Sequence, residues 1–107
     1  MLTIWKYPLE LTDSTQQIAM PKGAKILTVQ MNDTKICIWA LVDSDAETDY
    51  RDFKIYGTGH AIYQSIEDLA YVGTVQMGLL GPLGKSILVW HVFELPTFHK
   101  EPTTEGQ

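Results

Sequence analysis

Residues 24–43 read AKILTVQMNDTKICIWALVD. Apolar residues largely alternate with polar ones up to Met31 and run almost unbroken after Lys35, which predicts two strands, Ala24–Met31 and Lys35–Asp43. The residues between them, Asn32-Asp33-Thr34, tolerate left-handed backbone conformations and predict a tight turn. The second strand is apolar on both faces, so we expect it to lie in the middle of the fold.

The rest of the chain follows the same period of two. Further strands are predicted over Leu2–Pro8, Gln16–Met20, Tyr50–Gly57, Tyr71–Met77 with a bulge at Gly73, and Ile87–Leu95, with a loop at Gly78–Lys85 and one short helical turn within Gln64–Leu69. We therefore expect an all-β fold of six or seven antiparallel strands, in a small sandwich or a partly open barrel. Residues 1–95 form one domain in this interpretation, and residues 96–107 form a polar, flexible tail.

Composition narrows the class of protein. The chain has 107 residues, with eight Lys and Arg against thirteen Asp and Glu, which gives a net charge of −5. A generic DNA- or RNA-binding protein would show a basic excess instead. The single Cys37 excludes a disulfide scaffold and a cysteine-based zinc site. No apolar run approaches the roughly 20 residues of a membrane helix and no signal-peptide pattern is present, so we expect a cytoplasmic protein that does not enter a membrane.

Catalytic and metal-binding patterns are incomplete. Gly81–Ser86 ends like a phosphate-binding loop, but Leu79 stands where that loop needs glycine, and a strand is predicted to follow. The alternating acids of Asp43–Asp49 lack the glycine and the glutamate of a calcium loop. The histidines His60, His91 and His99 have no ligand spacing. We therefore predict no catalytic residue, no metal and no cofactor, with a small enzyme that uses His60 and a carboxylate as the alternative.

The Gly57-Thr58-Gly59-His60 segment is a candidate ligand-binding turn. It follows a predicted strand, and its backbone amides could hold an anion while the imidazole donates or accepts a proton. Tyr56 and Tyr63 flank the segment and could stack on a flat ring such as a nucleotide base. The competing interpretation is a plain turn in which the two glycines allow a positive φ.

A second candidate surface is suited to a protein partner. Tryptophan and tyrosine dominate the energetics of protein interfaces, and acidic side chains complement a basic partner. Its predicted residues are Trp5, Lys6, Asp43, Asp45, Glu47 and Asp49. The alternatives are that Trp5 covers the core and that the acidic residues only keep the protein soluble.

Several segments together resemble a known family. They are residues 4–8 (IWKYP), 20–30 (MPKGAKILTVQ), 39–43 (WALVD), 56–60 (YGTGH), 71–76 (YVGTVQ) and 88–94 (LVWHVFE). This pattern is similar to an uncharacterised family of small proteins encoded by phages and bacterial mobile elements, and it extends from about residue 3 to residue 95. No catalytic residues can be carried over from that family.

The resemblance implies a setting. A small acidic phage protein commonly works by binding, so we expect a non-enzymatic protein in the host cytoplasm that inhibits a host defence or regulatory protein. Capture of a nucleotide-like small molecule, and a structural or assembly role in the virion, are the alternatives. Because two strands are apolar on both faces, we also expect a homodimer.

Overall fold

A computed structural model of the chain describes residues 1–97. Its seven strands are β1 (Leu2–Leu9), β2 (Gln16–Pro21), β3 (Lys25–Asn32), β4 (Lys35–Asp43), β5 (Thr48–Gly57), β6 (Ala70–Gly81) and β7 (Gly84–Leu95). A single 3₁₀ turn, Ile66–Asp68, precedes β6, within the predicted helical segment. Apart from Pro96 and Thr97, the predicted flexible tail lies outside the described residues, as does His99.

The strands form two antiparallel sheets. The three-stranded sheet has the order β1-β4-β3 and the four-stranded sheet has the order β2-β5-β7-β6, so the all-β sandwich predicted from the sequence is confirmed. The strands that are apolar on both faces, β4 and β7, each lie inside a sheet, as expected for strands with little polar surface.

The first hairpin forms as its turn residues predict. Asn32 pairs with Lys35 across a two-residue loop, and Asp33 adopts the left-handed conformation, with φ of 60°. The predicted bulge near Gly73 is present as a register shift between Tyr71 and Gly73. A Cβ on Gly73 would lie 2.5 Å from Val29 Cγ1, so the absence of a side chain lets β6 approach β3 closely.

The core lies between the two sheets. The inner face of β4 supplies Ile36, Ile38, Ala40 and Val42, and the opposite sheet supplies Phe53, Ile55, Val75 and Val92. None of the core residues, buried or partly buried, falls between Gly78 and Leu88. The hydrophobic stabilisation of the sandwich therefore comes from its central part.

The predicted loop at Gly78–Lys85 is wrong. β6 and β7 are twelve residues each and stay paired down to Gly81 and Gly84, with only Pro82 and Leu83 between them. Gly78, Gly81 and Gly84 predict a loop, but all three pair across the hairpin, and only Gly84 has a positive φ, of 111°. Pro8 indicates either the end of the first strand or an edge strand, and the structure has the edge: β1 continues to Leu9 and lies at the edge of its sheet, where a missing N–H group is tolerated.

The described part of the chain contains one helical segment, the three-residue 3₁₀ turn. No helix there is long and apolar enough to cross a lipid bilayer.

Candidate functional site

The Gly57–His60 turn closes on itself. The backbone N–H of His60 donates to the carbonyl of Gly57 at 3.0 Å, and the N–H of Gly57 donates to His60 Nδ1 at 3.2 Å. Gly59 takes the positive φ, of 89°, that the turn requires. The N–H of Thr58 is 3.4 Å from the carbonyl of Val89. Three of the four amides of the predicted anion-binding turn therefore donate within the chain.

Gly57 lies so close to the imidazole of His60 that a side chain at position 57 would overlap it. A Cβ on Gly57 would lie 2.6 Å from His60 Cε1, because the imidazole covers the inner face of β5 at that position. The same ring meets Trp90 edge-on, with the ring centres 6.2 Å apart. His60 thus packs at the end of the sandwich and stays exposed to solvent.

A chain of polar side chains crosses the outer face of the four-stranded sheet beside this turn. His91 Nε2 lies 2.7 Å from Thr58 Oγ1, and His91 Nδ1 lies 3.0 Å from Thr74 Oγ1. The chain continues from Thr74 to the Tyr71 hydroxyl at 2.6 Å. Since hydroxyl groups both donate and accept, this chain can satisfy the imidazole in its neutral and in its charged form.

The two predicted tyrosines lie in different environments. Tyr56 is buried, its ring packs edge-on against Phe93, and its hydroxyl donates to Gln64 Oε1. Burial raises the pKa of Tyr56 above its usual value. Tyr63, in contrast, is 91% exposed. The structure therefore brings Gly57, His60 and Thr58 together and leaves the face of Tyr56 largely covered, while Tyr63 stands in solvent.

The predicted protein-binding residues divide between the two faces of the three-stranded sheet. The register pairs Lys6 with Trp39 and Leu2 with Asp43, so Lys6 and Asp43 share the outer face with Ile4 and Leu41. Trp5 pairs with Ala40 on the inner face, where it stays 41% exposed at the edge of the core. Trp5 and Lys6 thus point to opposite sides of the sheet.

The acidic loop, with Asp43, Asp45, Glu47 and Asp49, contacts the N-terminus through two of its carboxylates. The ammonium group of Met1 lies 2.7 Å from Asp45 Oδ2 and 3.0 Å from Asp43 Oδ1. Hydrogen bonds with Asp45 and Asp43 raise the pKa of this ammonium. The backbone N–H of Asp45, together with the ammonium, lowers the pKa of Asp43. Further along the loop, the carbonyl of Glu47 accepts from Lys22 N–H, and the Asp49 carboxylate accepts from Tyr50 N–H.

An ion pair that the sequence does not reveal lies at the other end of β5. Arg51 Nε donates to Glu94 Oε2 at 2.7 Å, Arg51 Nη2 donates to Glu94 Oε1 at 2.9 Å, and Arg51 Nη1 donates to the carbonyl of Ala24 at 2.5 Å. Glu94 raises the pKa of the guanidinium. Two open cavities of about 500 and 410 Å³ flank the pair. The sequence signal for this pair is that Arg51 shares a strand face with the apolar Phe53 and Ile55, which indicates a charged side chain at the core. Its partner Glu94 cannot be identified without the strand order.

Two further polar groups lie unpaired inside the sandwich. The Tyr7 hydroxyl and Trp90 Nε1 are buried, and neither has a hydrogen-bond partner among the described residues. Burial raises the pKa of Tyr7, and the positive charge of Arg51 opposes this effect in part. Within residues 1–97, no three His, Cys, Asp or Glu side chains are grouped so that they could hold a metal ion.

Comparison with known proteins gives a family of unknown function. A family model described as a domain of unknown function matches residues 1–103. No curated protein matches the chain, and no solved structure does.

Proposed function

We propose, from the premise that this chain belongs to the DUF7352 family, that it is a non-enzymatic binding protein of phage type, which acts in the host cytoplasm. Its target in this proposal is a host defence or regulatory protein, which it inhibits by covering a functional surface. The proposed contact is the outer β4 face, defined as Leu2, Ile4 and Lys6 of β1 with Trp39, Leu41 and Asp43 of β4.

The proposal rests on the composition of the outer β4 face. Ile4 pairs with Leu41 and Lys6 pairs with Trp39, which gives an apolar centre two strands wide. Ile4 is 55% exposed, and Trp39 and Leu41 are partly exposed. Lys6 and Asp43 supply charge at the margins. An apolar centre with aromatic side chains and a charged rim is the usual anatomy of a protein interface.

Charge suggests what kind of partner fits. The acidic loop, with Asp43, Asp45, Glu47 and Asp49, adjoins the face at the start of β1, since Leu2 pairs with Asp43. The whole chain carries a net charge of −5. A partner with a basic surface around an apolar centre, such as a nucleic-acid-binding defence protein, would be attracted over a distance and then held by apolar contact.

The experiment compares two single substitutions of exposed isoleucines. Wild type, Ile4→Lys and Ile66→Lys are immobilised separately and exposed to lysate of a bacterial host, and each captured protein is purified and assayed with the free chain. Ile66 is exposed on the 3₁₀ turn, away from the outer β4 face, so it controls for the change of charge. We expect wild type and Ile66→Lys to bind and inhibit the same host protein, and Ile4→Lys to lose both effects. Equal binding by Ile4→Lys, or turnover of a nucleotide or nucleic acid by the pure chain, would overturn the proposal.

A nucleotide-like ligand at the Gly57–His60 turn is the second candidate. The observation in its favour is that His60, Thr58 and the solvent-exposed Tyr63 lie on one short segment beside the His91 hydrogen-bond chain. Native mass spectrometry of the protein purified from bacteria tests it. A discrete extra mass that disappears on denaturation supports this candidate, whereas the mass of the bare chain counts against it. Association with phage particles would instead point to the assembly role.

A further inference from the structure

The β6–β7 hairpin extends beyond the sheet that carries it. β5 ends at Gly57, which pairs with Trp90, so the stretch from Gly78 to Leu88 has only two strands, and we call this stretch the arm. Strands of twelve residues measure about 40 Å, longer than any other strand of this fold. The described molecule is accordingly elongated, with extents of 57 × 36 × 20 Å.

The arm is apolar on both of its faces. Leu80 is 87% exposed and Leu83 at the turn is fully exposed, and Leu79, Ile87 and Leu88 are also exposed. Register places Leu80 and Ile87 on one face and Leu79 and Leu88 on the other. A two-stranded ribbon without a packed face is marginally stable in water, so a third strand or a covering surface would stabilise the arm.

The β6 edge of the arm has no charged residue, proline or bulge that would block pairing with another strand. Closer to the sandwich, β6 lies beside β3, where Gly73 meets Val29. In the arm, Gly78-Leu79-Leu80-Gly81 forms an edge without charge or proline. Natural edge strands usually carry lysine, proline or a bulge to block pairing with another chain. On the other strand, Lys85 supplies such a charge, so β6 is the edge without one. At the base of the arm, Gly78 and Leu79 border a cavity shared with Asp33 and Thr34 of the β3–β4 turn, so the edge is most open at Leu80 and Gly81.

We propose that the occupant of this edge is a second copy of the chain. Residues 78–81 of two protomers would pair antiparallel about a two-fold axis near Leu79 and Leu80, and the two arms would form one four-stranded ribbon. An antiparallel strand can pair with itself in this way, and two-fold interfaces are by far the commonest in soluble oligomers. Each protomer then supplies the strand that the other arm lacks.

Charge favours a second copy over an anionic membrane. From Leu69 to Phe93 the chain has one charged residue, Lys85, while the remaining residues carry seven Lys and Arg against thirteen Asp and Glu, a net charge of −6. The arms can therefore meet without acidic repulsion at their contact. A surface of anionic lipid would attract Lys85 but repel the acidic sandwich behind it.

The contact area between the two arms sets the expected affinity of the dimer. Edge pairing brings Leu79 and Leu80 of the two arms together, whereas Ile87 and Leu88 lie one strand away on β7. The contact therefore stays below the ~1,000 Å² under which specific interfaces become weak or transient, and edge hydrogen bonds supply much of its strength. The expected dimer is therefore of micromolar affinity, and it forms independently of any host partner.

The test is sedimentation equilibrium of the full chain over a range of concentrations up to about 200 µM, where a micromolar dimer is the main species. The chain mass is 12.1 kDa, so wild type should approach twice that mass. Leu80→Lys places a charge on the open edge of both protomers and should raise the dissociation constant at least about 100-fold. Ile66→Lys introduces the same charge at an exposed aliphatic residue outside the arm and should leave the dissociation constant unchanged.

Hydrogen exchange locates the contact in the same samples. Amides in residues 78–81 should become protected as wild type is concentrated, and should stay unprotected in Leu80→Lys. A wild type that stays monomeric up to about 200 µM overturns the proposal, and so does a dimer that Leu80→Lys leaves intact. A monomer that sediments with phosphatidylglycerol vesicles also overturns it and assigns the arm to lipid.

Discussion

At the scale of single residues, the contact between Gly57 and His60 explains why β5 ends in glycine. The φ of Gly57 is ordinary, so the backbone does not demand glycine there, and the neighbouring imidazole does. We expect Gly57→Ala to destabilise the fold by about 1–3 kcal/mol, because the new methyl group overlaps the ring. In a His60→Ala background the same change should cost well under about 1 kcal/mol.

Chemical denaturation of the four chains of this double-mutant cycle measures the coupling. Gly78→Ala is the matched control, since a Cβ there meets only Lys85 Cε at an ordinary 3.8 Å. Equal costs of Gly57→Ala in the two backgrounds would mean that His60 is not what excludes a side chain.

Two tyrosine hydroxyls should respond in opposite ways to removal. The buried Tyr7 hydroxyl has no partner among the described residues, so Tyr7→Phe should be neutral or stabilise the fold by up to about 1 kcal/mol. Tyr56 donates to Gln64, so Tyr56→Phe should destabilise the fold by about 0.5–1.5 kcal/mol. Urea denaturation at neutral pH checks both signs.

The same tyrosines predict a dependence of stability on alkaline pH. Burial raises the folded-state pKa of Tyr7 and of Tyr56 above the ordinary tyrosine value of about 10, so the folded chain holds these protons more tightly than the unfolded chain does. The stability linked to them is complete below the unfolded pKa and is lost as the pH rises through the folded values. The alkaline loss should shrink in Tyr7→Phe and in Tyr56→Phe; a loss of unchanged size in both variants would assign it to other groups.

At the scale of strands, the Arg51–Glu94 pair ties β5 and β7 to the segment that enters β3. Arg51 binds Glu94 in its own sheet and the carbonyl of Ala24 near the other sheet. Glu94→Gln leaves a half-buried guanidinium without its counter-ion, and we expect a loss of about 1–3 kcal/mol in the free energy of unfolding.

Glu67→Gln is the control for this prediction. Glu67 lines the same cavity but is exposed, so its neutralisation should change stability by less than about 0.5 kcal/mol. Thermal or urea denaturation of both variants compares the two carboxylates. Similar small effects would show that solvent screens the Arg51–Glu94 pair despite its short distances.

Local patterns predicted the strands better than they predicted contacts between strands. The β3–β4 hairpin follows from alternation and from Asn32-Asp33, and β4 matches the predicted Lys35–Asp43 at both ends. Gly78, Gly81 and Gly84 predict a loop over Gly78–Lys85, although pairing with a partner strand holds glycine extended equally well. Pairing depends on what lies opposite, which is a nonlocal property.

The candidate sites show the same division. The sequence predicted that Gly57–His60 forms a turn, and Gly59 adopts the positive φ expected there. The sequence did not reveal that His60 Nδ1 accepts a hydrogen bond from Gly57. It also did not reveal that His91 on β7 joins Thr58, after β5, to Thr74 on β6, because these contacts depend on the strand order. Ligand binding at this turn stays a prediction, as does partner binding by the acidic loop.

At the scale of the whole molecule, the sandwich and the arm are separate in energy as well as in position. Residues of the hydrophobic core come from all seven strands, but none lies between Gly78 and Leu88. Burial of apolar area is the main favourable term in folding, so the sandwich should not need the arm to fold. The arm, in turn, exposes leucine on both of its faces, whereas the strands of the sandwich pack one face against the core.

A shortened arm tests this separation. Removing Leu79, Leu80, Lys85 and Ser86 deletes two residue pairs and keeps the turn, and because two residues leave each strand, every remaining side chain keeps its face. All four deleted residues are exposed. At about 1 µM, below the expected dimer range, the melting temperature by circular dichroism should therefore stay within about 4 °C of wild type. Wild type should also melt at a higher temperature when concentrated, because association stabilises the folded form, and the shortened chain should not. Loss of a cooperative transition in the shortened chain would show that the arm belongs to the folding unit, contrary to the position of the core.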